Sequence, residues 1–157
     1  MVAVSSTNSD EFYTPCWVTD PLGEFDLDPC AGPLSSIARI NWRDVDALAA
    51  DWHGRVWLNG PYSDDYKRLF LLKAAEYHAA TGNGVIGLYP NVPARAWFKE
   101  CAKLATAVYP MDRRIDFLRA DGKKGRGTVD SALFAFGESE AEIIRKSGLV
   151  TMKYTFI

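Results

Sequence analysis

Short apolar runs alternate along this chain with stretches whose apolar positions recur at helical spacing. The first pattern marks strands buried on both faces and the second marks helices with one apolar face. The alternation therefore predicts an α/β sheet with helices on both faces. Phe25–Asp28 reads as a short strand stopped by Pro29, and a small helix is expected over Leu34–Arg39. A weak strand at Ile40–Trp42 and a firmer one at Val56–Leu58 follow. The next helix is expected over Tyr66–Thr81, with Asp64 or Asp65 as its cap, Leu69, Leu72, Ala75 and Ala79 along one face, and Gly82 ending it. Val85–Tyr89 is the next strand and Ala94–Ala105 the next helix. Beyond them, strands are expected at Ala107–Tyr109, Ile115–Arg119 and Ser131–Phe136. Ser139 and Glu142 form a capping box for a helix to Lys146, and "LVTMKYTFI", Leu149–Ile157, reads as a last strand. The sheet should be parallel at first and antiparallel at its C-terminal edge.

Size and composition narrow this further. The 157 residues suit one domain able to bury roughly 70% of its unfolded surface, so a single domain is expected over 11–157 behind a loose polar segment, 1–10. Apolar residues make up 48% of the chain, yet no run reaches the roughly 18 residues of a membrane span. The start, "MVAVSSTNSDE", has neither the basic region nor the apolar core of a signal peptide. Cys16, Cys30 and Cys101 are odd in number and far apart, which fits reduced thiols and a cytoplasmic setting. His53 and His78 lack carboxylate or thiol neighbours at ligand spacing, so no metal is expected. A net charge of −2 offers no general attraction to nucleic acid, and a nucleic-acid partner has to be met by a local basic patch.

Three segments carry the candidate chemistry. "RVWLNGPYS" ends a buried strand at Asn59 with Gly60, free to turn, and Pro61, which has no N–H for a ladder. The turn offers the Asn59 amide, the Gly60 carbonyl and the Tyr62 ring, a set suited to a flat base with an exocyclic amino group, such as adenine. Accepting both amine hydrogens keeps the nitrogen lone pair out of the ring and stabilises the charge that develops as it attacks a carbon. "FDLDPCAG" runs from a strand through Asp28, Pro29, Cys30 and Ala31 into small residues that let a ligand approach the backbone. "EFYTPCW" sets Tyr13, Thr14 and Pro15 just ahead of that strand, with Thr14 held extended by the proline after it.

Taken in order, "EFYTP", "FDLDPCA", "DWHGRVWLNGPYS", "YPNVPARAWF", "RIDF" and "SALFAFG" resemble the phage-type DNA N6-adenine methyltransferases, which use S-adenosylmethionine. The likeness spans Glu11 to about Gly137. It implies a Rossmann-like methyltransferase sheet, double-stranded DNA as the partner, and a role in protecting DNA against restriction, in the host cytoplasm if the chain is phage-encoded. On this resemblance Asn59, Gly60, Pro61 and Tyr62 form the catalytic motif, which ordinarily has a second proline where this chain has Gly60. Asp28, Pro29, Cys30 and Ala31 face the methionine part of the cofactor, and Tyr13, Thr14 and Pro15 close over it. Asp46, or Asp44, corresponds to the acid that holds the ribose hydroxyls. A target base inside a duplex has to be flipped out, which calls for a grip on phosphates, and Arg119, Lys123, Lys124 and Arg126 form the candidate basic loop. Two other readings stay open on the residues alone: a methyltransferase-like module that only binds nucleic acid or a host protein, and the same chemistry on RNA or a free nucleotide.

Overall fold

The computed structural model describes residues 12–61, 63–119, 121 and 129–156. Strand β1 (Phe12–Tyr13) leads into a short helix α1 (Cys16–Thr19) and then into β2 (Phe25–Asp28) and β3 (Ala38–Asn41). After β4 (Val56–Leu58) come helix α2 (Asp64–Thr81), β5 (Val85–Pro90), helix α3 (Ala96–Leu104) and β6 (Ala107–Pro110). The chain continues through β7 (Leu118–Arg119) and β8 (Ser131–Phe136) to helix α4 (Glu138–Lys146). Among the described residues six strands form one sheet in the order β3-β2-β4-β5-β8-β6, and β1 pairs with β7 in a separate ribbon. Strands β3, β2, β4 and β5 are parallel, and β8 runs antiparallel between β5 and β6. The sheet is thus mostly parallel, as the pattern predicts, with the antiparallel strand one place in from the edge, and it is consistent with the methyltransferase-like sheet that the resemblance implies.

Side-chain alternation along the strands builds two cores. In β8, Ala132, Phe134 and Phe136 join the cluster under α2 and α3, while Leu133 and Ala135 join the one under α1 and α4. Likewise Val56 and Leu58 face one side and Trp57 the other. Strands β4 and β5 read as continuous apolar runs, because both of their faces are covered.

Several expectations change in the folded chain. No helix forms over Leu34–Arg39; this stretch holds turns and the start of β3. Arg43 donates to the carbonyls of Gly32 and Ser35, giving an irregular segment the partners that a helix would have supplied internally. Helix α2 begins at Asp64, and its cap is Ser63, whose hydroxyl accepts from the Tyr66 N–H, rather than Asp64 or Asp65. Its buried face is Lys67, Phe70, Leu71 and Ala74, while Leu69 stays exposed. A lysine in that stripe hides the 3.6-residue period from a reading of apolar positions alone. Its apolar stem lies in the core, and its ammonium meets Asp64 at 3.3 Å and the Trp97 ring. Helix α4 has Gly137 as its cap with no side-chain bond; Ser139 lies inside the helix, and Glu142 pairs with Arg145 and Lys146. Of Ile115–Arg119 only Leu118–Arg119 is a strand, since Ile115 turns into the core beneath α1. The last segment forms no strand within 149–156. Instead Tyr154 donates one backbone bond to Val108 on the edge strand, and its ring and that of Phe156 pack on Phe98.

Candidate functional site

The chain leaves β2 toward β3 on one side and later returns to β4 on the other, so the topological switch falls between β2 and β4. Open α/β sheets bind ligands outside the carboxyl ends of their strands at such a point. Asp28 ends β2, and Asn59 follows β4 directly. Parallel pairing of these neighbours brings the two polar side chains to one edge, although 30 residues of chain separate them. The turns that follow are sharp because Pro29 and Pro61 cannot extend the ladder.

A cavity of about 40 Å³ lies between them, lined by Tyr13, Thr14, Asp28, Cys30, Asn59 and their neighbours. Through Tyr13, Thr14, Ser35 and Ile37 it shares its wall with a groove of about 430 Å³ that extends to Asp20, Leu118 and Arg119. The arrangement is a small polar end backed by a larger open one. Segment 12–14 reaches it because β1 pairs with β7, with Tyr13 opposite Leu118. The Tyr13 hydroxyl accepts from the Leu34 N–H at 3.3 Å. Gly32 makes this closure feasible: a Cβ there would come within 3.1 Å of the Tyr13 ring.

Asp28 is 3% exposed. Its Oδ1 accepts from the Cys30 N–H at 3.1 Å and its Oδ2 from the Ser35 hydroxyl at 3.5 Å, and among the described residues it has no ion pair. Burial pushes its carboxyl up to about 7, against the opposing pull of those two hydrogen bonds and of the charge on Arg43. The Cys30 thiol is raised well above its ordinary range by burial and by Asp28, which makes it a packing residue and a poor nucleophile. Asn59 is half-buried, and its Nδ2 donates to Thr14 Oγ1 at 3.2 Å. Its Oδ1 has no partner among the described residues. Gly60 is buried against α2: a Cβ there would stand 3.2 Å from the Phe70 ring and 3.3 Å from the Tyr89 hydroxyl. Packing therefore confines the turn where a proline ring would otherwise stiffen it.

The structure brings together Tyr13, Thr14, Asp28, Cys30 and Asn59, with Pro15 opening α1 as its cap and Pro29 buried beside them. Ala31 is half-buried in the same turn, and Gly60 and Pro61 continue from Asn59. Asp46 is not brought to this cluster. Its Oδ1 caps a turn through the N–H groups of Leu48 and Ala49, and it lines neither cavity. Asp44 is exposed and holds a left-handed backbone, φ 57°. Arg119 lines the groove and lies 3.7 Å from Asp121. Tyr62, Lys123, Lys124 and Arg126 lie outside the described residues. Trp17 is half-buried, with the Arg113 guanidinium 4.0 Å over its ring. Trp57, Ser35 and Ile37 also wall the small cavity, which the sequence signals only through the run of small residues in "AGPLSSI".

Among the described residues no three His, Cys, Asp or Glu side chains cluster as a metal site, and no helix is long and apolar enough to cross a membrane. A family model described as DNA N-6-adenine-methyltransferase (Dam) matches residues 3–144. No curated protein and no solved structure matches the chain.

Proposed function

Because the chain belongs to the DNA N6-adenine methyltransferase (Dam) family, we propose that it transfers the methyl group of S-adenosylmethionine to N6 of adenine in double-stranded DNA. The observation that carries this reading is the pairing of Asp28 and Asn59 at adjacent strand ends on one cavity, beneath Tyr13 and Thr14. The residues fit the cofactor. A buried carboxyl with no ion pair among the described residues, at a cavity of about 40 Å³, suits an ammonium group, and the groove of about 430 Å³ has room for a nucleoside. When bound, S-adenosylmethionine supplies a methyl group on a cationic sulfur.

The protein's share of the chemistry is hydrogen bonding and placement. Asn59 Oδ1 and the Gly60 carbonyl accept the two N6 hydrogens, which localises the nitrogen lone pair and stabilises its developing positive charge. Pro61 fixes the direction of the turn. Tyr62, by its place in the motif, stacks on the flipped base, an interaction of about 1–3 kcal/mol. Asp28 orients the amino acid end of the cofactor, and Tyr13, Thr14 and Pro15 exclude water above it. Arg119, with Lys123, Lys124 and Arg126, holds phosphates around the flipped base. We take residues 11–157 as one catalytic unit acting in the cytoplasm, with protection of DNA against restriction as the use that the family likeness suggests.

Calorimetric titration with S-adenosylmethionine, followed by a tritiated-methyl assay on adenine-containing DNA and RNA oligonucleotides, tests the reading. Wild-type protein should bind the cofactor, Asp28→Ala should not, and label should appear on N6 of the DNA. Asn59→Ala should lower the turnover about 100-fold or more while still binding cofactor. A folded sample that binds no cofactor would sink the proposal in favour of a module that only binds nucleic acid or protein.

A further inference from the structure

The Asn59 side chain ends in a torsion that is broad and nearly two-fold, so strand β4 by itself does not fix the plane of its amide. The one side-chain hydrogen bond shown for it runs to the Thr14 hydroxyl, 45 residues away in the chain, at 3.2 Å. Thr14 is itself firmly placed. On one side Tyr13 is paired with Leu118 in the β1–β7 ribbon, and on the other Pro15 starts α1 with ψ 150°. The proline also keeps Thr14 extended.

From this geometry we infer that Thr14 is a positioning residue for methyl transfer: its hydroxyl holds the plane of the Asn59 amide and so aims the amide oxygen at the target amine. The inference rests on the reading of Asn59 as the acceptor of the amine hydrogens. A hydroxyl is suited to the task because it both donates and accepts, so it can anchor either an amide or a carboxylate at position 59. The neighbouring side chain divides the labour. Tyr13 reaches the other way, to the Leu34 N–H and against Gly32, on the side of the cavity that leads to the groove. Segment 13–14 thereby clasps both parts of the site, with Thr14 on the catalytic side.

Thr14→Val removes the hydroxyl at nearly constant volume and Thr14→Ser keeps it. In single-turnover methylation of a DNA oligonucleotide Thr14→Val should be slower by roughly three- to tenfold, the worth of one neutral hydrogen bond. Valine keeps the bulk with which Thr14 covers the cofactor, so the dissociation constant for S-adenosylmethionine should stay within about twofold of wild type, and Thr14→Ser should recover most of the rate. In an Asn59→Ala background Thr14→Val should have no further effect. The Asn59 side-chain amide resonances in a 15N spectrum should shift in Thr14→Val and return in Thr14→Ser. An unchanged rate in Thr14→Val, a loss matched by weaker cofactor binding, or an additive loss in the double variant would overturn the inference. If wild-type protein methylates nothing, the functional reading fails on its own, and unshifted Asn59 resonances in Thr14→Val would still refute the contact.

Discussion

Asp28 illustrates how one residue carries a stability cost and, on the proposed reading, a binding function. Its carboxyl stands at about 7 in the fold against 3.8 as a free side chain. Between those values the folded protein keeps a proton that the unfolded chain has released, so stability falls as pH rises from about 4 to about 7 and is level above that. Urea midpoints of the cofactor-free protein at pH 5 and pH 8 should show this fall, and Asp28→Asn should flatten it. On the proposed reading a bound ammonium supplies the missing positive charge and expels the proton. Calorimetry near pH 6 in two buffers of different ionisation enthalpy should then show proton release approaching one, and little release at pH 8.5. Gly60 makes a different point at the same scale. In sequence it is a departure from a proline-rich motif; in the fold it is the residue that lets Phe70 and Tyr89 close against the turn.

At the scale of elements, the two capping sites separate what a motif suggests from what a helix uses. Ser63 accepts from Tyr66 at the start of α2, just after the turn that follows β4, whereas Ser139 lies within α4 and caps nothing. Thermal or urea unfolding should give a loss of about 1 kcal/mol for Ser63→Ala and a change within about 0.5 kcal/mol for Ser139→Ala. The expected helix at Leu34–Arg39 failed for a related reason. The Ser35 carbonyl, like that of Gly32 just before the stretch, is bound by Arg43 and the Ser35 hydroxyl by Asp28, contacts that come from outside the segment. The far end of α2, by contrast, follows its local signal, and the helix ends at Gly82 with a left-handed backbone, as its sequence predicts.

At the scale of the whole molecule, β2, the start of β4 and α4 are tied together away from the site by Arg55. Its guanidinium meets Glu140 of α4 at 2.7 Å, lies 4.2 Å over the Phe25 ring and donates to the Glu24 carbonyl. The two side chains are only 18% and 6% exposed, so removing one leaves the other charged and buried. Glu140→Ala should destabilise the fold by about 3 kcal/mol, read as a drop of several degrees in Tm. Cofactor binding at a permissive temperature should survive, because the pair sits beneath the amino ends of the strands and the site lies at their carboxyl ends.

Local signals were sufficient wherever a few neighbouring residues decide the outcome. Phe25–Asp28, Val56–Leu58 and Ser131–Phe136 are strands with the limits their apolar runs predict, and the prolines after β2 and β4 stop them where a ladder N–H is lost. The order of "FDLDPCA" and "LNGPYS" likewise pointed to the two turns that meet at the site. Tertiary structure alone decided how those turns combine. Strand order sets Asp28 beside Asn59, the β1–β7 ribbon delivers Thr14 to the Asn59 amide, and Asp46 is left capping a turn away from both cavities. The reason is range. Turn chemistry and helix caps act within about four residues, whereas burial of Asp28 and the hydrogen bond across 45 residues exist only once the sheet has chosen its neighbours.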